Sequence, residues 1–394
     1  MASAYRSVAA LLVSVFLLLS GNGLLLTIIP LGARAHGHSE IEIGFLGSAY
    51  FVGMLIGAVI NPAAVRRSGH ARAYTASVAL AVIATLGFAV FHQAWAWILF
   101  RGVLGFCFAG LYATVESWLQ GKSENAVRGR VLAAYSVVQY AGWAVGNQLI
   151  GLDEPTSFTL FSGAAALLAA AILPVMITNE DPPERPSSPE LPLRWLWRTS
   201  PIGVIGVFLI GAANGPFWSL TPIYAAGIGL SSGEVGTFMT MLTIGSALLQ
   251  IPIGRLSDRT DRRAVLVGLV VATGLIEVFL AAAGPLPRLV LYGVGLAIGS
   301  VLATQYYVLV SHVNDRSGPE RAVGVAAVLL LAYCVGAIAG PVTAGYAMSK
   351  LGPGGLHVHN AVVHAVLAAY VIWRMLAASR PPATVSAAPA RSPN

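Results

Sequence analysis

VFLLLSGNGLLLTIIP, residues 15–30, and VFLIGAANGPFWSLTP, residues 207–222, are one stretch written twice. A shift of 192 residues lays Val15, Phe16 and Leu17 on Val207, Phe208 and Leu209, Asn22-Gly23 on Asn214-Gly215, and Pro30 on Pro222. The register runs without a gap from 15 to 67 and carries Ala33, Gly37, Ser39, Glu42, Gly44, Gly53 and Arg67 onto identical residues. A nearby offset pairs Gly142 and Gly146 with Gly336 and Gly340. Apolar stretches share leucine and alanine through composition alone. Asparagine, proline and glutamate shared in register mean that the chain is two copies of one unit.

That unit is a membrane unit. The 394 residues are 56% hydrophobic and 10% charged, against roughly 25% charge in a soluble domain. Apolar runs of about 20 residues, enough to cross ~30 Å of hydrocarbon as helices, recur at 8–31, 43–63, 73–91, 96–118, 129–151, 158–177, 201–225, 233–253, 264–284, 288–311, 322–347 and 357–377. The expectation is an all-α integral membrane protein of twelve transmembrane helices in two pseudo-symmetric six-helix bundles, at 1–177 and 201–378. A solvated linker at 178–200, with Trp195 and Trp197 at the headgroups, would join them, and a disordered tail at 379–394 would follow. Arg6 ahead of an apolar run resembles a secretory leader, but its register with 207–222 argues for a retained helix.

With the N-terminus inside, Arg66, Arg67, Arg72, Lys122, Arg128, Arg130, Arg194, Arg198, Arg255, Arg259, Arg262, Arg263, Arg316, Arg321 and Arg374 fall on cytoplasmic segments, as do Arg6, Arg185, Arg380 and Arg391. Only Arg34, Arg288 and Lys350 are left outside. This asymmetry places both termini in the cytoplasm, in a bacterial inner membrane, and accounts for the basic pI without nucleic acid. Cys107 and Cys334 lie in apolar helices of different repeats, so neither a disulfide nor a metal set is expected.

The loop after the eighth helix reads Gly254-Arg255-Leu256-Ser257-Asp258-Arg259-Thr260-Asp261-Arg262-Arg263. It resembles the G-x-L-x-D-R-x-x-R-R loop of the major facilitator superfamily. In the first half, Arg66 takes the position of the family aspartate. Arg101-Gly102 through Gly105 is similar to the family's R-x-x-x-G motif, and Gly336 to Pro341 to its glycine-proline signature. Helix five has Gly146-Asn147 in the matching place, a departure from the drug antiporters. Glu116-Ser117-Trp118-Leu119, Arg128-Gly129-Arg130-Val131 and His312-Val313-Asn314-Asp315-Arg316 resemble the YcaD-type branch. The resemblance implies a transporter of small solutes working by alternating access about a midplane site, and it favours a cavity-facing Arg101.

From the residues themselves, Arg101 lies about a turn into helix four, where an arginine needs a partner or a wet cavity unless it snorkels. Asn22 and Asn214 are repeat-related; each precedes a glycine that would loosen the helix and free carbonyls, or each is interhelical glue. Trp218 shares a face with Asn214. Tyr112, Gln139, Tyr140, Gln305, Tyr306 and Tyr333 complete the expected lining, suited to a small amphipathic solute of anionic or zwitterionic character. The proton-coupling candidates are Glu277, Glu116 and Arg101. The latch candidates are Arg66, Arg67, Glu116, Arg128 and Arg130 in the first half, with Glu116 opposing Arg66, and Asp258, Arg259, Arg262 and Arg263 in the second. His36-Gly-His38 and His357-Val-His359 are expected in solvated outer segments, where a divalent metal or external pH could engage them. There is no Gly-x-Ser-x-Gly elbow and no clustered acids on a membrane helix, so no enzyme and no cofactor are expected. The reading is a monomeric, proton-coupled exporter surrounded by lipid; the alternatives are a lipid flippase or a transporter-shaped receptor.

Overall fold

The computed structural model describes residues 2–122, 128–176 and 192–378, and among these there is helix and no strand. The first six long helices are α1 (Ala2–Ala35), α2 (Glu40–Ser68), α3 (His70–Val90), α4 (Ala94–Lys122), α5 (Arg128–Gln148) and α6 (Phe158–Ala170, resuming as Ile172–Met176). The second six are α7 (Pro201–Gly227), α8 (Ser232–Leu248, resuming as Gln250–Arg259), α9 (Arg262–Ala282), α10 (Arg288–Ser317), α11 (Ala322–Leu351) and α12 (Gly355–Ala378). Eleven are long and apolar enough to cross a membrane. The exception is α5, whose Gln139, Tyr140, Asn147 and Gln148 turn toward the partner half rather than toward lipid.

Local chemistry sets the ends and breaks. Ser39 caps α2 in a capping box with Glu42, and Ser231 caps α8 in the same way with Glu234. The turns before them use Gly37 and Gly229 at φ 83° and 88°, a left-handed conformation that suits glycine. The repeat therefore extends to cap and turn. The breaks at Ala171 and Leu249 each lie three residues before a proline, Pro174 and Pro252, which cannot donate to the carbonyl four residues earlier and crowds it.

In each half, glycines let helices cross at backbone contact. A Cβ on Gly53 would overlap the Gly102 carbonyl oxygen, and one on the repeat-related Gly245 would overlap that of Leu296. Gly146 against Ser20 and Gly340 against Ala212 do the same where α5 meets α1 and α11 meets α7. Helices α1 and α7 are the central ones, with 72% of the membrane window buried in each, against 22% in α12.

The linker is not wholly irregular: Leu193–Thr199 forms a short helix, with Leu196 buried, Trp197 exposed and Trp195 under the Arg321 guanidinium at 5.0 Å. Residues 178–191 and the expected tail at 379–394 lie outside the described residues. The G-x-L-x-D-R stretch is also helical rather than a loop, since α8 runs on through Arg259.

Candidate functional site

The bundles meet on the side away from the arginine-rich ends. There Arg34 Nη1 donates to the Ile223 carbonyl at 3.3 Å, and Asn147 Nδ2 to Thr243 Oγ1 at 3.2 Å. Thr240 Oγ1 reaches the Ala144 carbonyl at 3.2 Å and Ser48 Oγ the Ile338 carbonyl at 2.6 Å. Gly44 lies against the Pro341 carbonyl, and Gly345 against that of Glu40. Further toward the arginine-rich side, Gln250 Nε2 is hydrogen-bonded across the bundles to the Tyr140 hydroxyl.

Between the bundles is a cavity of about 410 Å³, within the range of small-molecule sites. Its wall includes Asn22, Tyr50, Arg101, Tyr112, Gln139, Tyr140, Trp143, Asn147, Asn214, Trp218, Thr243, Tyr306 and Tyr333, and toward the arginine-rich side Glu116, Tyr307 and Leu330. The tertiary structure thus gathers Arg101, Tyr112, both asparagines and Trp218 with Gln139, Tyr140, Tyr306 and Tyr333 of three further helices onto one surface.

Arg101 does not snorkel. It is 3% exposed, its guanidinium sits 4.5 Å from the Tyr50 ring centroid, and Nη1 has no hydrogen-bond partner. Among the described residues no carboxylate lies within ion-pair distance of it. Asn22 Nδ2 donates to the Tyr112 hydroxyl at 3.2 Å, while the Oδ1 atoms of Asn22 and Asn214 are buried without partners. The chemistry available is one delocalised cation, two amide acceptors and several phenols set in apolar walls.

Four expectations need correction. Gln305 does not line the cavity: it is fully buried and turned to α9, donating to Thr273 Oγ1 at 2.7 Å. The Asn-Gly pairs do not loosen α1 or α7, which stay helical; Gly23 and Gly215 serve close packing, since a Cβ there would stand 2.6 Å from the Trp143 carbonyl oxygen and 2.7 Å from that of Ala337. Glu116 makes no ion pair with Arg66 among the described residues and instead faces the cavity. His357 is not solvated: it is 1% exposed and bonded to Glu277, which is itself fully buried and away from the cavity.

The expected latch charges do not bridge the two bundles. Arg262 pairs with Asp258 at 2.9 Å and with Asp315 at 2.7 Å, and Arg263 with Asp261 at 2.9 Å, all within the second half. Arg66, Arg67, Arg130 and Arg259 have no ion pair among the described residues, and the side chain of Arg128 lies outside them. Tyr50, Trp143, Thr243 and Tyr307 carry no motif in the sequence, and Asn147 stands out there only as the departure in helix five. Tyr50 carried one usable signal, its position among the glycines of α2 that face α4.

A duplicated helical membrane fold around a central cavity that ends against packed ends on one side is an architecture that secondary transporters share. The profile of the Major Facilitator Superfamily matches residues 11–203 and 203–393, and the chain belongs to that family. It is 28% identical over 355 residues to an uncharacterized MFS-type transporter of Yersinia pestis (strain Pestoides F), covering 88% of this chain and 91% of the relative. It is 28% identical over 341 residues to the uncharacterized MFS-type transporter YcaD of Shigella flexneri, covering 85% and 87%. Its fold is similar to that of the nucleoside transporter NupG, with a TM-score of 0.81 at 15% identity over 94% of this chain and 99% of that one. The chain is a multi-pass membrane transporter and not an enzyme.

Proposed function

We propose that this transporter carries a small amphipathic organic solute with an anionic or zwitterionic group, by alternating access. The carrying observation is Arg101, a buried guanidinium with a free N–H, facing the cavity with no carboxylate beside it. A cation out of water is costly without a counter-charge. A planar guanidinium is also suited to bidentate binding of a carboxylate or phosphate. Asn22 and Asn214 would orient the polar part of the solute from the pseudo-twofold axis, and Tyr112, Tyr140, Trp218, Tyr306 and Tyr333 would cover its apolar part. The excess of arginine on one side supports a cytoplasmic assignment for that side and for both termini. The conformation is then closed outside, with the cytoplasmic latch of Arg66, Arg67, Asp258 and Arg262 disengaged. Proton coupling, with Glu116 in the cavity and Glu277 outside it, belongs to the same reading.

A lipid cargo is the second reading. It rests on an apolar crevice of about 650 Å³ between α2, α4 and α11, lined by Phe45, Val52, Ile56, Leu99, Phe106 and Ile338 among others and facing the surrounding membrane.

A thermal-shift screen of the purified protein against anionic, zwitterionic, cationic and neutral solutes separates these readings. A ligand at a hundred times its Kd stabilises the folded state by ~2.7 kcal/mol. The expected result is one anionic or zwitterionic class that raises the Tm of the wild type and not of Arg101→Ala. An equal response in both proteins would overturn the role of Arg101, and a response to phospholipid alone would favour the lipid reading.

A further inference from the structure

Four buried polar side-chain atoms of residues on the cavity wall have no hydrogen-bond partner among the described residues, and they are of two kinds. Arg101 Nη1 and Trp143 Nε1 are donors, whereas Asn22 Oδ1 and Asn214 Oδ1 are acceptors. A buried polar group without a partner has lost its hydration with nothing in return. Each therefore marks a contact that a solute in the cavity can supply. The two acceptors sit on the central helices α1 and α7, at positions related by the repeat, and their residues are 2% and 5% exposed. Asn22 Nδ2 donates to the Tyr112 hydroxyl at 3.2 Å, and the Asn214 amide faces the Tyr333 hydroxyl. Both amides thus turn their N–H side to a phenol and leave the oxygen bare. What the cavity lacks at these two places is a donor.

Charge decides which donor fits. Among the described residues the cavity wall holds one cation, Arg101, and one carboxylate, Glu116. Both lie on α4, fifteen residues apart and ~22 Å by helix rise, so neither neutralises the other. A plain anion satisfies Arg101, but it meets Glu116 as a like charge and leaves both amide oxygens bare. A plain cation meets Arg101 as a like charge, and a neutral hydroxyl compound leaves Arg101 uncompensated. A primary ammonium brings a compact positive charge with three N–H donors, enough for two acceptors at once. The rings near Asn214 suit it as well. Trp218 lies one turn further along α7, and the Tyr333 and Tyr306 rings meet edge to face with centroids 5.4 Å apart. Aromatic faces attract an ammonium group.

We infer that the solute is a zwitterion bearing a carboxylate and a primary ammonium, the carboxylate accepting from Arg101 and the ammonium donating to the oxygens of Asn22 and Asn214. The inference rests on the proposed function above and narrows its substrate class from anionic or zwitterionic to one of the two. Charge then balances on both sides of the contact, with one of each sign in the solute and one of each sign in the wall. An amino acid with an apolar side chain is the simplest member of the class.

The test is a thermal-shift titration of the purified full-length protein against a matched phenyl series. Phenylalanine carries both groups, and its N,N,N-trimethyl betaine keeps both charges without an N–H. In 3-phenyllactate a hydroxyl replaces the ammonium, 3-phenylpropanoate has the carboxylate alone, and 2-phenylethylamine has the ammonium alone. Two further amino acids, 3-amino-3-phenylpropanoate and 4-(aminomethyl)phenylacetate, set the ammonium farther from the carboxylate. One of the three primary-amine zwitterions should raise the Tm, and the compounds lacking either group should bind roughly tenfold or more weakly, as for a lost charged contact. Asn214→Asp should keep the response to the zwitterion, because an aspartate offers acceptors only, and Asn214→Leu should abolish it. Should either variant not fold, the wild-type series decides the same question. Equal binding of 3-phenylpropanoate or 3-phenyllactate would overturn the ammonium site and leave the role of Arg101 standing. Equal binding of the betaine, or loss of the response in Asn214→Asp, would overturn the donor contact to the amide oxygens. Failure of all three zwitterions while anions still bind through Arg101 would overturn the inference alone. Binding of 2-phenylethylamine that is as tight in Arg101→Ala as in the wild type would overturn the proposed function as well.

Discussion

Arg101 and Glu277 look alike in the sequence, each a charge set within an apolar helix, and the structure gives them opposite surroundings. Arg101 faces a cavity with a free N–H, whereas both Glu277 oxygens are bonded inside one bundle. Helix position constrained depth for both and direction for neither, because direction depends on which neighbour packs against which face. Glycine shows the same division. Gly53 and Gly163 are equally plain in the sequence, but a Cβ on Gly53 overlaps the α4 backbone while one on Gly163 meets nothing within 4 Å. Gly53→Ala should therefore destabilise by about 1–3 kcal/mol, the usual cost of overpacking, and lower the Tm of the purified protein. Gly163→Ala should leave it unchanged or slightly raised.

Caps and prolines were legible as residue types before their consequences were. The shared Ser39/Glu42 and Ser231/Glu234 carried the repeat, and they prove to be reciprocal capping boxes. Replacing Ser231 by Ala should cost about 1 kcal/mol, read as a lower Tm. Asp261 caps α9, accepting from the Arg263 backbone N–H at 2.9 Å. The Arg263 guanidinium beside it holds its carboxyl below the usual aspartate range. A depressed folded-state value means that this stabilisation is present above the unfolded value of about 3.9 and is lost as pH falls through the folded one. Unfolding midpoints should thus decline below about pH 4, and Asp261→Asn should reduce that decline while lowering stability at neutral pH. The interruption of α8 at Leu249 was hidden in the sequence reading because apolar periodicity continues across it, whereas Pro252 acts on the backbone.

At the scale of the whole molecule, most of the contacts between the two halves among the described residues lie away from the arginine-rich side. Gly151 and Gly233 approach across the bundle interface, a Cβ on Gly151 standing 3.3 Å from the Gly233 Cα. Gly151→Cys with Gly233→Cys should therefore form a disulfide under mild oxidation, since the approach suits the short Cβ separation that bond requires. The oxidised protein should show no separation of the closed ends by spin-label distance and should recover it on reduction. A cross-link that forms while the ends still part would place the hinge elsewhere.

The sequence by itself determined the duplication, the membrane class, the family resemblance and most of the polar residues that line the cavity. These depend on hydrophobic length, residue type and register, which are local or repeat along the chain. Tertiary structure alone decided that Gln305 turns to α9, that Glu116 does not meet Arg66, that Asp315 pairs with Arg262 and that His357 is buried on Glu277. Each turns on which faces of two separate helices meet. Such pairings follow from how helices rotate and cross to bring glycines into backbone contact, and a single helix's periodicity carries no record of its neighbour's rotation.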